Sequence, residues 1–548
     1  GLGLGYTLVE LSKRAGKDAV FCVFEPDLRL IRTVLELHDL SDLIRDTRIL
    51  FFTEADKSQL FVRLMPYLTQ ISLGFEKVIH QPSFRIQPDF QEQYRIWIDE
   101  FIAYGRTCIS TLVINGKRTA ENITRNLAWY LATPDIARLK DCYRGKPAVI
   151  VSAGQSLRKN QHLLPAVAGK ACIIAVQTTL QPLVDMGIEP QFVTSLDYHD
   201  ICTRFFEKLP GSISTELVAE SKATNRIFDL NPGPVSLLGN EFAELMLSEM
   251  KLGKSRLPSG ATVAHLAFYL AEHLGCDPII FVGQDLGFSD GLCYMPGTSY
   301  EDVWRPELSR FCSVEMKQWE QIVRDRHILR KVPDFQGHPM YTEERLFTYL
   351  QQFERDFVRC KSRVIDATEG GVAKRGSTPM LFADAIAQFC TSDLAVSTPE
   401  HAGMNFSRIG ECISSLQKRM DESVQIERIA QDTQPLLEEI RDHVDDQQRV
   451  NVAITKIDSI RKKLTDVDCC YRLITNLTQS SELQRFQADA RIMASKLEGV
   501  ELQRRQVQRD IDNVKAVMDA ACDFRKLVGE TIDMIRSRFS ESIERQAA

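Results

Sequence analysis

Between residues 146 and 368 the sequence repeatedly sets short apolar runs against glycine, serine, glutamine or aspartate. The runs are "KPAVIVSAGQSL" (146–157), "ACIIAVQT" (171–178), "FVTSLD" (192–197), "ISTELVAES" (213–221), "GPVSLL" (233–238), "PIIFVGQDL" (278–286) and "SRVIDAT" (362–368). A strand buried on both faces reads as a continuous apolar run, and that burial requires helices above and below a parallel sheet. Helical patterns such as "ATVAHLAFYLAEHLG" (261–275) separate the runs. The alternation predicts an α/β fold with a central doubly wound, mostly parallel sheet.

Two other textures flank this region. The opening "GLGLGYTLVELSKRAGKDAVFCVFEPD" reads as glycine loop, helix and strand, with Val20–Phe24 as the strand and Glu25 closing it. "RILFFTEA" (48–55) supplies a further strand, so the N-terminal region is expected to be Rossmann-like, its first strand lying before Gly1. An acid about 20 residues after such glycines suits ribose hydroxyls of a dinucleotide or adenosylmethionine, whereas the glycines alone also suit close helix–strand packing. After residue 400 glycine becomes sparse, and Val450, Ile454, Ile457, Ile460, Leu464 and Val467 recur at helical spacing. A C-terminal α-helical bundle with one buried stripe follows.

The bulk numbers exclude several classes. A net charge of -7 argues against a broad nucleic-acid surface. No apolar run is long enough to span a membrane, and no signal peptide is visible. Fourteen cysteines without paired metal-site spacing read as reduced residues of a cytoplasmic protein.

Ligands of an open parallel sheet bind beyond the carboxyl ends of its strands. The polar residues expected there are Ser152, Gly154, Gln155 and Ser156, then Gln177 and Thr178, then Asp197 to Asp200, then Gln284, Asp285 and Leu286. Ser259-Gly260 is expected at a helix start, where free N–H groups attract anions. Gly154-Gln155-Ser156 is compatible with a phosphate cradle or with a plain turn. Asp197 is compatible with a ligand contact or a helix cap. His265 and His273 fall within an apolar helix and read as core or rim residues. No carboxylate or histidine set has convincing metal-ligand spacing.

Together "KPAVIVSAGQSL", "AVQTTLQPLVDMGIEPQFVTSLD", "SGATVAHLAFYLAEHLGCDPIIFVGQDLGFSDG" and "IDATEGG" resemble the motility accessory factor (Maf) family, over most of residues 1 to 390. Those proteins are bacterial glycosyltransferases that attach nonulosonic acids, such as pseudaminic or legionaminic acid, to serine or threonine of flagellin. The resemblance implies a central domain similar to bacterial sialyltransferases, a CMP-activated donor, no required cofactor or metal, and flagellin as partner. The textures along the chain divide it into residues 1–110 (Rossmann-like), 111–140 (helical connector), 141–395 (the domain that the resemblance makes a glycosyltransferase) and 396–548 (helical domain). Two departures occur. Gln155 stands where the family's Gly-Pro-Ser-Leu motif has proline, and Gln191 where Pro-Asp is commoner.

On this resemblance Gly154, Gln155, Ser156, Ser259 and Gly260 would cradle phosphate. Gln177, Thr178, Asp197, Gln284 and Leu286 would contact nucleoside or sugar. "PDFQGHPMYTEERLFTYL" (333–350) is similar to the sialyltransferase lid, which makes His338 the first candidate for the base that activates the acceptor hydroxyl. His199 is the second candidate and Asp285 the third. Two other classes stay open: an ATP- and magnesium-dependent pterin pyrophosphokinase, as in archaeal relatives of the central domain, and a non-catalytic flagellar assembly scaffold. An N-terminal methyltransferase is a minor further option.

Overall fold

The computed structural model describes residues 1–15, 19–46, 48–299, 301–394, 400–401, 403–495 and 497–539. They form two compact units, one of residues 1–114 with 482–497, the other of residues 115–481 with 498–548.

In the first unit, helix α1 (Tyr6–Arg14) leads to β1 (Phe21–Phe24), helix α2 (Leu28–Leu37) and β2 (Ile49–Phe52), and the two strands pair in parallel. Asp27 caps α2, its carboxylate accepting from the N–H groups of Arg29 and Leu30. The glycine loop is filled by protein. A Cβ on Gly3 (φ +54°) would sit 2.6 Å from the His80 ring, and one on Gly5 (φ +83°) 2.6 Å from Val34. Glu25 is buried, and its carboxylate accepts from Leu2 N at 3.1 Å and Asp27 N at 3.3 Å. The acid expected at a ribose therefore closes the glycine loop, and these glycines serve close packing.

Helix α3 (Pro88–Arg125) begins in the first unit and ends in the second, where α4 (Leu127–Ala132) follows. The second unit is built on an eight-stranded sheet. Its strands are β3 (Ala148–Val151), β4 (Cys172–Val176), β5 (Phe192–Ser195), β6 (Glu216–Ala219), β7 (Val235–Leu237), β8 (Ile279–Val282), β11 (Val364–Asp366) and β12 (Thr378–Pro379). The order is β12-β11-β8-β3-β4-β5-β6-β7, and every pair is parallel. The chain winds from β3 outward to β7, then returns to place β8 on the other side of β3, which makes the β3/β8 border the switch point of the sheet. A separate antiparallel hairpin, β9 (Leu329–Pro333) and β10 (Pro339–Glu343), was not read from the sequence.

All four residues of β3 are buried. Ala148 and Ile150 face a core formed with α6 (Val263–His273) and α8 (Glu344–Arg359), where Leu266, Phe268 and Phe353 also pack. Val149 and Val151 face the opposite core, shared with α5 (Gln177–Asp185) and the C-terminal helices. Those helices are α9 (Ile409–Asp442), α11 (Asp468–Leu477) and α12 (Gly499–Arg538), while α10 (Gln447–Arg461) adds no residue to this core. Leu416, Leu473 and Phe524 lie in one cluster with Trp129 and Val151, so the boundary expected near residue 396 separates no second core. Arg419 fastens this docking. Its side chain is buried and pairs with Glu422 and with Glu249, which belongs to the sheet region. The stripe expected along residues 450–467 is only partly buried: Val467 is enclosed, whereas Ile454 is 43 % exposed and α10 buries only Ala453.

Candidate functional site

A cavity of about 340 Å³ opens at the switch point. It is walled by Ser152, Ala153 and Gly154 after β3, Gln177 and Thr178 after β4, Asp197 after β5, and Gly283 to Phe288 after β8. Ala261 to Ala264, at the start of α6, complete the floor. The remaining lining comes from Cys293 and Tyr294 in the segment after β8, Gln321, Ile322 and Asp325 on and just past α7 (Val314–Arg324), Leu329 and Glu343 of the hairpin, and Arg345, Leu346 and Tyr349 of α8. Strands packed side by side end together, so tips far apart in sequence converge here.

Asp285 organises the back of the cavity. Its Oδ2 accepts from Ser156 N at 3.0 Å, and its Oδ1 accepts from Ser156 Oγ. Burial raises its pKa, against the opposing pull of the Ser156 and Ser289 hydrogen bonds and the charge of Lys374. The polypeptide closes tightly around it: a Cβ on Gly154 would lie 2.5 Å from its carboxylate, and one on Gly371 (φ +71°) 2.4 Å from its Cα. The carboxylate thus takes both donors of Ser156, while Gly154 N donates to the Gly283 carbonyl at 2.8 Å. This corrects the expected phosphate cradle. Ser156 and Gln155 are buried outside the cavity lining, and of the three only Gly154 borders it.

Gln177 is locked between two neighbours. Its Oε1 accepts from Ser195 Oγ at 2.6 Å, and its Nε2 donates to Asp197 Oδ2. Burial raises the pKa of Asp197, while the Gln177 hydrogen bond and the charges of Lys222 and His199 act against it.

The anion seat expected at Ser259-Gly260 lies three residues further on. Helix α6 starts at Val263 with Thr262 as its N-cap, because the Thr262 hydroxyl accepts from His265 N and lies 2.8 Å from His265 Nδ1. Ser259 is exposed and outside the cavity lining, and its carbonyl accepts from Gln352. Gly260 is also outside the lining. The N–H groups of Val263 and Ala264, in the first turn of α6, have no intrahelical partner and lie at the cavity. Beside them the Ser152 hydroxyl is buried without a hydrogen-bond partner.

No histidine is among the described residues lining the cavity. His338 sits at the exposed tip of the β9–β10 hairpin, where its N–H donates to Asp334 and its Nδ1 stands 3.6 Å from the same carboxylate. His199 is exposed and likewise outside the lining. Neither histidine offered as a base lines the cavity: His338 is at the hairpin tip while Glu343, at the end of the same hairpin, is in the lining, and His199 lies close enough to Asp197 for its charge to be felt there. His265 is fully buried and its pKa is lowered by burial to about 3, while His273 is bound to the Ile136 carbonyl. Tyr294, Glu343, Arg345, Tyr349 and Thr262 were missed. Only Thr262 carried a local signal, a capping hydroxyl directly before the helical pattern.

Among the described residues, no group of three or more histidine, cysteine, aspartate or glutamate side chains is placed to hold a metal ion. No helix among them is long and apolar enough to cross a membrane.

A family profile described as "MptE-like: 6-hydroxymethylpterin diphosphokinase MptE-like" matches residues 121–291, which carry β3 to β8 and four of the cavity's strand tips. Among solved structures, the MAf glycosyltransferase of Magnetospirillum magneticum AMB-1 aligns over 100% of this chain and 81% of its own, with a TM-score of 0.56 and 16% sequence identity. No curated protein sequence matches. The resemblance carried by the sequence blocks is borne out in the fold, which this chain shares with that protein.

Proposed function

We propose that this chain is a glycosyltransferase that moves a nonulosonic acid from a CMP-activated donor to serine or threonine of flagellin, acting in the cytoplasm without a metal. The observation that carries the reading is the cavity at the β3/β8 switch point, where four strand tips meet the start of α6, in a fold shared with a MAf glycosyltransferase. In the reaction the bond from the anomeric carbon to the phosphate oxygen breaks, and CMP leaves with that electron pair. The acceptor oxygen bonds to the anomeric carbon and gives its proton to a base. The free N–H groups of Val263 and Ala264 suit the charge that gathers on the leaving phosphate.

The base is assigned to Asp197. Of the cavity's two carboxylates with raised pKa, Asp285 is buried with both oxygens engaged by Ser156, whereas Asp197 is half-buried at the cavity, accepting from Gln177 on Oδ2 with the Cys202 thiol as a further partner. Burial raises its pKa, and a carboxylate of higher pKa is the stronger base. Gln177 holds the carboxylate in place and takes its own orientation from Ser195.

The family description favours a second reading, a diphosphokinase acting on a hydroxymethylpterin with ATP and magnesium. Thermal melting separates the two. CMP at about 100 times its dissociation constant stabilises the chain by roughly 2.7 kcal/mol, and EDTA leaves that shift intact. Stabilisation by ATP with magnesium and none by CMP replaces the glycosyltransferase reading with the diphosphokinase one.

A further inference from the structure

We propose that Arg345 recognises a negatively charged group of the bound ligand, and that Glu343 is the positioning residue that holds its guanidinium. This rests on the sugar-nucleotide reading of the cavity. Arg345 is the one arginine or lysine among the described residues lining the cavity, which carries four carboxylates: Asp197, Asp285, Asp325 and Glu343. An anion entering such a cavity meets repulsion from every ionised group except this one.

The geometry leaves half of the guanidinium for a ligand. Nε donates to Glu343 Oε1 at 2.9 Å, and Nη2 lies 2.7 Å from the same oxygen in the ion pair. Among the described residues no hydrogen bond engages Nη1. Five N–H donors lie in the plane of a guanidinium, so the edge away from Glu343 keeps the paired donors that match a carboxylate or phosphate. The Glu343 side chain is 11% exposed and that of Arg345 is 66% exposed, so an enclosed carboxylate anchors an open fork. Glu343 is itself fixed by its pairing with Leu329 at the end of β10.

The position of the arginine adds an independent point. Arg345 is the second residue of α8, in the first turn, where the helix dipole disfavours a cation. Helix stability would place an acid there, as it does at Glu344. At that spot Glu343 already offsets the cation in part, and an anion entering the cavity that Arg345 lines would offset it further.

Calorimetric titration of the full chain with cytidine, CMP and CMP-N-acetylneuraminate tests the assignment. Wild type should bind the charged compounds more tightly than cytidine. Arg345→Met should lose about tenfold or more of that advantage and bind cytidine within twofold of wild type. A loss already present with CMP assigns the phosphate, and a loss confined to CMP-N-acetylneuraminate assigns the sugar carboxylate. Glu343→Ala should weaken the same ligand as Arg345→Met does, and Glu343→Gln, whose amide oxygen still accepts from Arg345, should restore it. Equal binding of all three compounds by wild type and Arg345→Met overturns the role of Arg345 while leaving the sugar-nucleotide reading standing. A wild-type chain that binds none of them removes both.

Discussion

Ser156→Ala separates a structural clasp from a phosphate cradle. In the folded chain the Ser156 hydroxyl donates to a carboxylate that is itself almost wholly enclosed. A hydrogen bond to a charged group contributes about 1.5–3 kcal/mol, and deleting the donor leaves the acceptor short of a partner. The backbone N–H of Ser156 at 3.0 Å remains, so the expected loss is about 2–3 kcal/mol. In a unit of this size that lowers the melting temperature by roughly 2–4 °C.

The loss has a definite pH dependence. An acid whose folded pKa lies above its unfolded one destabilises the fold as pH rises from the unfolded value through the folded one, because the unfolded chain releases its proton first. Burial raises the pKa of Asp285, and removing Ser156 raises it further. The gap between wild type and variant should therefore be smaller at pH 5 than at pH 8. Melting curves at the two pH values, with a CMP titration of the folded variant, complete the assay. Full wild-type stability together with a tenfold loss of CMP affinity would refute the clasp and restore the cradle.

Three further outcomes are expected. His265, whose pKa falls from about 6.5 to about 3, stays neutral in the fold while the unfolded chain takes up a proton. Stability is therefore lost as pH drops below 6.5, by about 2 kcal/mol between pH 7 and pH 5; a His265→Gln variant with the same acid slope in denaturant titrations would contradict this. Glu25→Ala removes the acceptor for Leu2 N and Asp27 N and should cost about 1–3 kcal/mol, seen as faster proteolysis within residues 1–114; an unchanged cleavage rate counts against the closed glycine loop. His338→Ala should leave transfer and donor affinity within about twofold of wild type, since the ring lies outside the cavity. A hundredfold drop in turnover would return the hairpin tip to the chemistry.

The sheet was legible because parallel strands buried on both faces cannot alternate. "AVIV" and "CIIAV" show this directly, and the polar residues after them had to fall at the carboxyl ends. Gln177, Asp197, Gln284 and Asp285 were found that way, and all four line the cavity. Their partners were not legible. Nothing near Ser156 announces a carboxylate 129 residues away, so its N–H read as free for phosphate. Arg345 was hidden because a charged residue on an amphipathic helix reads as solvated surface unless the facing element is known. The same limit affected the tail, whose periodicity promised a buried face without saying that Leu473 would join the core that holds Trp129.

The central claim is tested most directly by incubating the purified chain with flagellin and CMP-pseudaminic or CMP-legionaminic acid in EDTA, then measuring the intact mass of flagellin. The account predicts a mass increase of one or more sugar residues, release of CMP, and loss of both with Asp197→Asn. Flagellin of unchanged mass with either donor, alongside ATP- and magnesium-dependent diphosphate transfer to a hydroxymethylpterin, would contradict it.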